Sequence, residues 1–282
     1  MSAARRGDWP EAPEPLPLPI TDNHTHIDVA KDVVEQPLTT AQWLERAAEV
    51  GVHRAVQIGC DLSGARWTAG IVSERPELLG GVAIHPNEAP KLATAGELDD
   101  ALREISDLAH VPRIRVIGET GLDTFRTGPE GMEAQRESFR AHIQMAKEHN
   151  LPLQIHDREA HAEVLEILAA DGAPETTIFH CFSGDAEMAQ ICVENGWFLS
   201  FAGTVTFKNA DSLRQALRAT PLSQVLVETD APFLTAHPFR GRPNSSYLLP
   251  HTVRTVAQVL HVPVEHACEV IESTTQDIYG PW

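Results

Sequence analysis

The sequence predicts a single (β/α)8 barrel on three observations: short β-branched apolar runs recur along the chain, longer amphipathic segments separate them, and nearly every run ends on a residue that can bind metal. The runs lie near Ile20–His24, Ala55–Cys60, Gly80–His85, Arg115–Glu119, Leu153–His156, Thr177–His180, Trp197–Phe201 and Val225–Asp230. Helix punctuation falls between them. Thr39 or Thr40 precedes AQWLERAAEV and Gly51 follows it, while Asp185 precedes AEMAQICVEN and Gly196 follows. The segment from about Met132 to His149 stops at Asn150 and Pro152. A Rossmann-like open sheet is the structural competitor, but no glycine-rich fingerprint follows the first run and eight strands suit closure.

A chain of 282 residues, 42% of them hydrophobic, can bury one large core, so residues 20–282 are expected to form one domain. Residues 1–19 carry Pro10, Pro13, Pro15, Pro17 and Pro19 without an apolar period, and read as an extended or mobile arm. No apolar run reaches the roughly 20 residues that span a bilayer, and the two N-terminal arginines precede no hydrophobic signal core. The expectation is a cytoplasmic protein without a membrane or obligate protein partner. Cys60, Cys181, Cys192 and Cys268 form no CxxC pair, which excludes a zinc ribbon and suits free thiols in a reducing compartment. The formal charge of -18 opposes a long track of phosphate contacts, although metal ions can present local positive charge inside an acidic protein.

The metal reading begins with Asp22-Asn23-His24-Thr25-His26, where two imidazoles at i and i+2 point to one side of an extended chain. Glu119 closes RVIGE, His156 closes LPLQIH, His180 closes TIFH and Asp230 closes VLVETD. Taken singly, a strand-end His caps a helix as readily as it binds an ion, and a strand-end acid often pairs with Arg or Lys. Together, on strands whose C-terminal ends converge in a barrel, they make a His/carboxylate set suited to two divalent cations. Glu119 is the natural bridging ligand, because no Lys stands at that strand end to be carboxylated. Asp230 is the candidate proton acceptor, so Asp230 and Glu119 are the expected catalytic groups. His-rich donors suit Zn2+ or Mn2+, whereas phosphate chemistry favours Mg2+ or Mn2+ for turnover.

Around this set, His85 can touch a substrate oxygen or hydrogen-bond a ligand. Arg158 can pair with a phosphate or with its neighbours Asp157 and Glu159, while Lys208 and Arg240 lie on loops where barrels often recognise phosphate. Arg242 reads as a solvated loop charge. Cys181 is expected to face away from the metal side, and Glu228 should share the interior face of Asp230.

The segments DNHTHID, GVAIHPNEA, VIGETGLD, LPLQIHDREA, FHCFSG, SFAGTVTFKNA, LVETDAPFL and HPFRGRPN occur in the order found in the TatD-type metal-dependent deoxyribonucleases of the amidohydrolase superfamily, which the chain resembles beyond its arm. The resemblance implies one metal among His24, His26, Glu119 and Asp230 and a second among Glu119, His156 and His180. It also implies phosphodiester hydrolysis, often from a DNA 3′ end and for some members at RNA ends. Two departures fall in substrate-facing positions. Asn244-Ser245-Ser246 stands where many relatives have Asn-Glu-Pro, and Thr124-Phe125 replaces a common aromatic pair after Gly121-Leu122-Asp123. The same ligands also suit ester or amide hydrolysis, including aminoacyl-RNA deacylation. A non-catalytic binding protein is disfavoured because the ligand set is intact.

Overall fold

The computed structural model describes residues 7–282. Its strands are β1 (Ile20–Thr25), β2 (Val52–Gly59), β3 (Leu78–Val82), β4 (Ile114–Asp123), β5 (Leu153–Arg158), β6 (Thr177–Phe179), β7 (Phe198–Phe201) and β8 (Val225–Val227). Helices α1 (Ala30–Val33) and α2 (Thr40–Glu49) follow β1, α3 (Leu62–Glu74) follows β2, and α4 (Ala89–Ala95) and α5 (Leu98–Leu108) follow β3. Then α6 (Met132–His149), α7 (His161–Asp171), α8 (Ala186–Glu194) and α9 (Asp211–Ala219) follow β4 to β7 in turn, and α10 (Leu249–Leu260) and α11 (Val264–Tyr279) close the chain after β8. The punctuation behaves as expected. Thr39 caps α2 in a reciprocal capping box with Gln42, Asp185 caps α8 through the Met188 N–H, and Asn150 ends α6 in the left-handed region.

The described residues fall into two compact units, one of the chain up to Gln57 with Gly184–Pro281, the other of Ile58–Ser183 with Trp282. The second unit orders β3, β4, β5 and β6 as parallel neighbours, in register from Gly81↔Val116 through Gly121↔His156 to Ile155↔Phe179. In the first unit β7 pairs with β8 and β1 with β2, again parallel. There the last strand also meets the first: Thr25 bridges Ala231, the Asp230 N–H donates to the His24 carbonyl at 3.0 Å, and the His26 N–H donates to Ala231 at 2.7 Å. An open doubly wound sheet leaves its end strands unpaired, so this contact belongs to the (β/α)8 order.

Strand limits differ from expectation at several candidate residues, and β6 stops at Phe179, just before His180. Strands β4 and β5 continue past Glu119 and His156, and Asp123 pairs with Arg158 beyond them. Conversely, β3 stops at Val82, before His85, and β8 stops at Val227, before Asp230. Asp230 has φ 49°, a left-handed conformation that cannot continue a ladder, and His85 is held instead by one bond from its N–H to the Cys60 carbonyl at 2.9 Å.

The proline-rich arm is extended and anchored over its described part. Arg242 donates to the carbonyls of Asp8 and Trp9, Tyr247 to that of Pro10 at 2.7 Å, and Arg254 to those of Glu14 and Pro15. The Trp9 indole N–H reaches the Gln36 carbonyl at 2.9 Å, and the Leu16 N–H donates to Val50 at 3.0 Å. Arg242 is thus a bound side chain, not the solvated charge its loop position suggests. Among the described residues no helix is long and apolar enough to cross a membrane.

Candidate metal centre

In the first unit every residue of β1 is buried, including Asp22, Asn23, His24 and Thr25. Burying that much polarity requires partners. Asp22 accepts from the Thr229 N–H at 2.9 Å, the Thr229 hydroxyl at 2.6 Å and the Ser246 hydroxyl at 2.6 Å, and Ser246 in turn accepts from the Trp43 indole at 2.8 Å. Burial pushes the Asp22 carboxyl up to about 6 despite those donors. Asn23 donates to the Val227 carbonyl at 3.1 Å, and Ser200 to Glu228 at 2.5 Å. The bonds of Asp22 to Thr229 and of Asn23 to Val227 lock β1 against the segment that carries Asp230.

The result is a cluster of three donors. His24 Nε2 and His26 Nε2 lie 3.1 Å apart, and Asp230 Oδ1 lies 3.3 Å from His26 Nε2 and 3.9 Å from His24 Nε2. Metal bonds of 2.0–2.2 Å at tetrahedral or octahedral angles place ligand atoms about 2.8–3.6 Å apart. Two of the three separations fall in that range and the third lies just outside it.

In the second unit the centre of the cluster is Glu119. Its Oε2 lies 2.7 Å from His180 Nε2, 3.0 Å from His156 Nδ1 and 3.8 Å from His85 Nε2, while Oε1 accepts from the Cys60 thiol at 3.1 Å. His180 Nε2 and His156 Nδ1 are 3.5 Å apart. Two of the three separations among Glu119, His156 and His180 fall in the metal-ligand range, and the third, 2.7 Å, lies just below it. Burial pushes the Glu119 carboxyl up, but the imidazoles of His180 and His85 and the hydrogen bonds from His156 and His180 outweigh it and hold the group well below the usual carboxylate range.

His156 turns its other nitrogen to a second carboxylate: Nε2 lies 3.3 Å from Asp123 Oδ2. A carboxylate behind a ligating imidazole fixes the ring and its tautomer, as in metal sites generally. Asp123 is fully buried and accepts also from the Asn87 amide at 2.9 Å and from the N–H groups of Phe125 and Arg126 at 3.0 and 2.8 Å. Burial raises its pKa, but His156, Asn87 and Arg126 more than reverse that. His156 itself is held above its ordinary value: burial lowers it, and Asp123 and Glu119 outweigh the burial. The adjoining backbone needs Gly121, which has φ 138° and whose absent Cβ would stand 2.1 Å from the His156 carbonyl oxygen.

His85 has a distinct electronic role. The Asn87 N–H donates to His85 Nδ1 at 3.0 Å, which assigns the ring proton of the neutral imidazole to Nε2, the nitrogen facing Glu119. Burial pushes this imidazole down to about 3, with Glu119 pulling the other way. His85 is therefore placed as a neutral hydrogen-bond donor.

Arg158 does not pair with Asp157 or Glu159; its guanidinium carbon lies 4.0 Å from the Phe125 ring centroid, and Asp157 takes His161 instead at 2.8 Å. Arg240 stacks in the same way on Phe207 at 4.5 Å, in the first unit, and Lys208 is exposed. Cys181 has φ 43°, so strand alternation does not extend to it. Sequence reasoning left out Asp123, Asn87, Cys60 and Asp22. Three of them stood inside motifs already singled out, GETGLD, IHPNEA and DNHTHID, and the signal was their adjacency to the ligands; Cys60 carried none.

A family model described as TatD related DNase matches residues 21–280. The metal-dependent hydrolase TatD of Mycobacterium tuberculosis is 42% identical over 267 residues, covering 93% of this chain and 98% of that protein. The metal-dependent hydrolase YcfH of Escherichia coli K12 is 34% identical over 262 residues, covering 93% and 94%. Among solved structures, the TatD homologue YjjV of E. coli superposes with a TM-score of 0.83 at 22% identity, covering 93% of this chain and 98% of that one, and so shares the barrel fold. With the family model spanning the chain from β1 to the end of α11, and with carboxylate and imidazole donors gathered at metal-ligand separations, the protein belongs to the TatD family of metal-dependent hydrolases.

Proposed function

We propose that the protein is a nuclease that hydrolyses phosphodiester bonds from the 3′ end of single-stranded DNA, with RNA ends as a second substrate. The observation that carries this reading is the convergence of Glu119, His156 and His180 in one unit and of His24, His26 and Asp230 in the other, in a chain matched by a family model described as TatD related DNase. When bound at such donors, divalent cations polarise a phosphoryl oxygen and lower the pKa of water. Glu119, His156 and His180 would hold one, and His24, His26 and Asp230 the other, with Glu119 shared as the resemblance implies.

The chain's own groups then divide the remaining work. Asp230, 12% exposed at its side chain, takes the proton that the attacking water releases as its oxygen bonds to phosphorus and the bond to the leaving oxygen breaks, and that proton then passes to the leaving oxygen to give the free hydroxyl. His85 offers its Nε2–H to a substrate oxygen. Asp123 keeps the His156 ring from turning. The net charge of -18 repels a long polyanion, while Arg158, Lys208 and Arg240 can pair with only a few phosphates, which supports a terminal over an internal site of attack.

The test is to strip the protein of metal, restore Mg2+, Mn2+ or Zn2+ separately, and offer 3′- and 5′-labelled single strands, duplexes, a closed single-stranded circle and ester substrates. Progressive shortening from the 3′ end, a resistant circle and a shallow salt dependence are expected. Rapid cutting of the circle at matched metal and salt overturns end specificity, and turnover of the ester alone overturns the nuclease reading.

A further inference from the structure

Phe125 is out of place by the rule that governs the rest of the molecule. It is 63% exposed, the larger of two such exposures among the big apolar side chains described, and it stands two residues beyond Asp123. A single ring is too small for a protein-docking patch, and the acidic surface opposes an anionic membrane. Its mounting, however, is rigid. The Phe125 and Arg126 N–H groups donate to Asp123 Oδ1, the Thr124 N–H donates to the Arg158 carbonyl at 3.1 Å, and the Thr124 hydroxyl donates to the Glu159 carbonyl at 2.8 Å. One side of the ring carries the Arg158 guanidinium, 4.0 Å from the centroid. The carboxylate that fixes this loop also fixes His156, so ring and candidate ligand share one reference point.

We propose that Phe125, backed by Arg158, is a stacking platform for the base of the substrate nucleotide bound at the Glu119 cluster. This rests on the nuclease reading and gives it a recognition element: an aromatic face accepts any base, whereas an ester or a bare phosphate has nothing to lay on it. The Arg158 charge lies over the ring, where it can also attract the phosphate of a nucleotide bound there. The platform explains why an exposed phenylalanine is built on a loop with four backbone and side-chain anchors.

The experiment uses the metal-loaded full chain and single-stranded oligonucleotides whose terminal linkages are phosphorothioates, ending at the 3′ side either in fluorescent 2-aminopurine or in an abasic sugar. Wild-type protein should quench the terminal 2-aminopurine and bind that strand more tightly than the abasic one. Phe125→Ala and Phe125→Leu should weaken binding of the base-bearing strand by about fivefold to a hundredfold and leave the abasic strand unchanged, while Phe125→Tyr restores it. Thermal melting of each variant should match wild type, because the side chain is exposed. If Phe125→Ala or Phe125→Leu binds the base-bearing strand as wild type does, the platform is wrong and the nuclease reading stands. If wild type binds neither strand and cuts no oligonucleotide, both are wrong.

Discussion

The two candidate ligand clusters reach similar donor chemistry by different construction. In the first unit, two imidazoles come from one strand, and hydroxyls of Thr229 and Ser246 feed the buried Asp22 on that same strand. In the second unit the donors come from β4, β5 and the residue after β6, and a dedicated carboxylate, Asp123, holds His156 from behind. The first cluster rests on a fully buried strand; the second has a dedicated carboxylate behind one of its imidazoles. Disturbing the charges should therefore damage the second cluster more selectively than the first.

The largest expected effect is at Glu119, whose negative charge is surrounded by imidazoles. Glu119→Ala should lower metal content at both clusters and reduce hydrolysis about a thousandfold or more, whereas His24→Ala should chiefly empty one. Metal analysis of the purified variants decides it, and two ions at wild-type occupancy in Glu119→Ala would remove Glu119 from its shared role. Next is Asp230→Asn, which keeps an oxygen ligand but cannot take a proton. Turnover should fall about a hundredfold to ten-thousandfold while metal occupancy falls less; restoration of full activity by excess metal would exclude the general-base role.

A smaller and purely conformational effect separates the second unit from its metal chemistry. His142 is fully buried, accepts from the Ile84 N–H at 3.1 Å, and is pushed down to about 4 by burial. The unfolded chain takes up this proton first, so the imidazole stabilises the fold fully above pH 6.5 and loses that contribution as pH falls towards 4, by roughly 3 kcal/mol. Asp22, pushed up to about 6, has the opposite slope, so the measurement is the difference between wild type and His142→Gln in denaturant melts from pH 7 to 4. Parallel pH profiles would show that His142 is not buried neutral. The smallest effect is Asp123→Asn, expected to weaken metal affinity about tenfold to a hundredfold at the Glu119 cluster alone, as read by competitive chelation. An equal loss at the His24 cluster would erase the contrast between them.

Strand positions were legible because periodicity announces them, and the six candidate ligands were named from residue type at the strand ends. Asp123 was not, since an aspartate after a Gly-Leu pair reads as an ordinary turn former, and its partners Asn87 and His156 come from the loop after β3 and from β5. The continuation of β4 and β5 past Glu119 and His156 was hidden by the polar residues there, which pair across the sheet instead of alternating with apolar ones. Cys60 beside Glu119 was hidden for the opposite reason: a cysteine on an apolar run reads as packing.

The arm was illegible in yet another way. Arg242, Tyr247 and Arg254 grip it by the carbonyl oxygens of Asp8, Trp9, Pro10, Glu14 and Pro15, and proline supplies such an oxygen as well as any residue while bringing no N–H to satisfy. Mutation can therefore rewrite many of its side chains without loosening it, Trp9 and the buried Pro10 and Leu16 excepted. The inherited information for the arm's position resides in the three residues that hold it, and across descendants those should drift more slowly than the segment they retain.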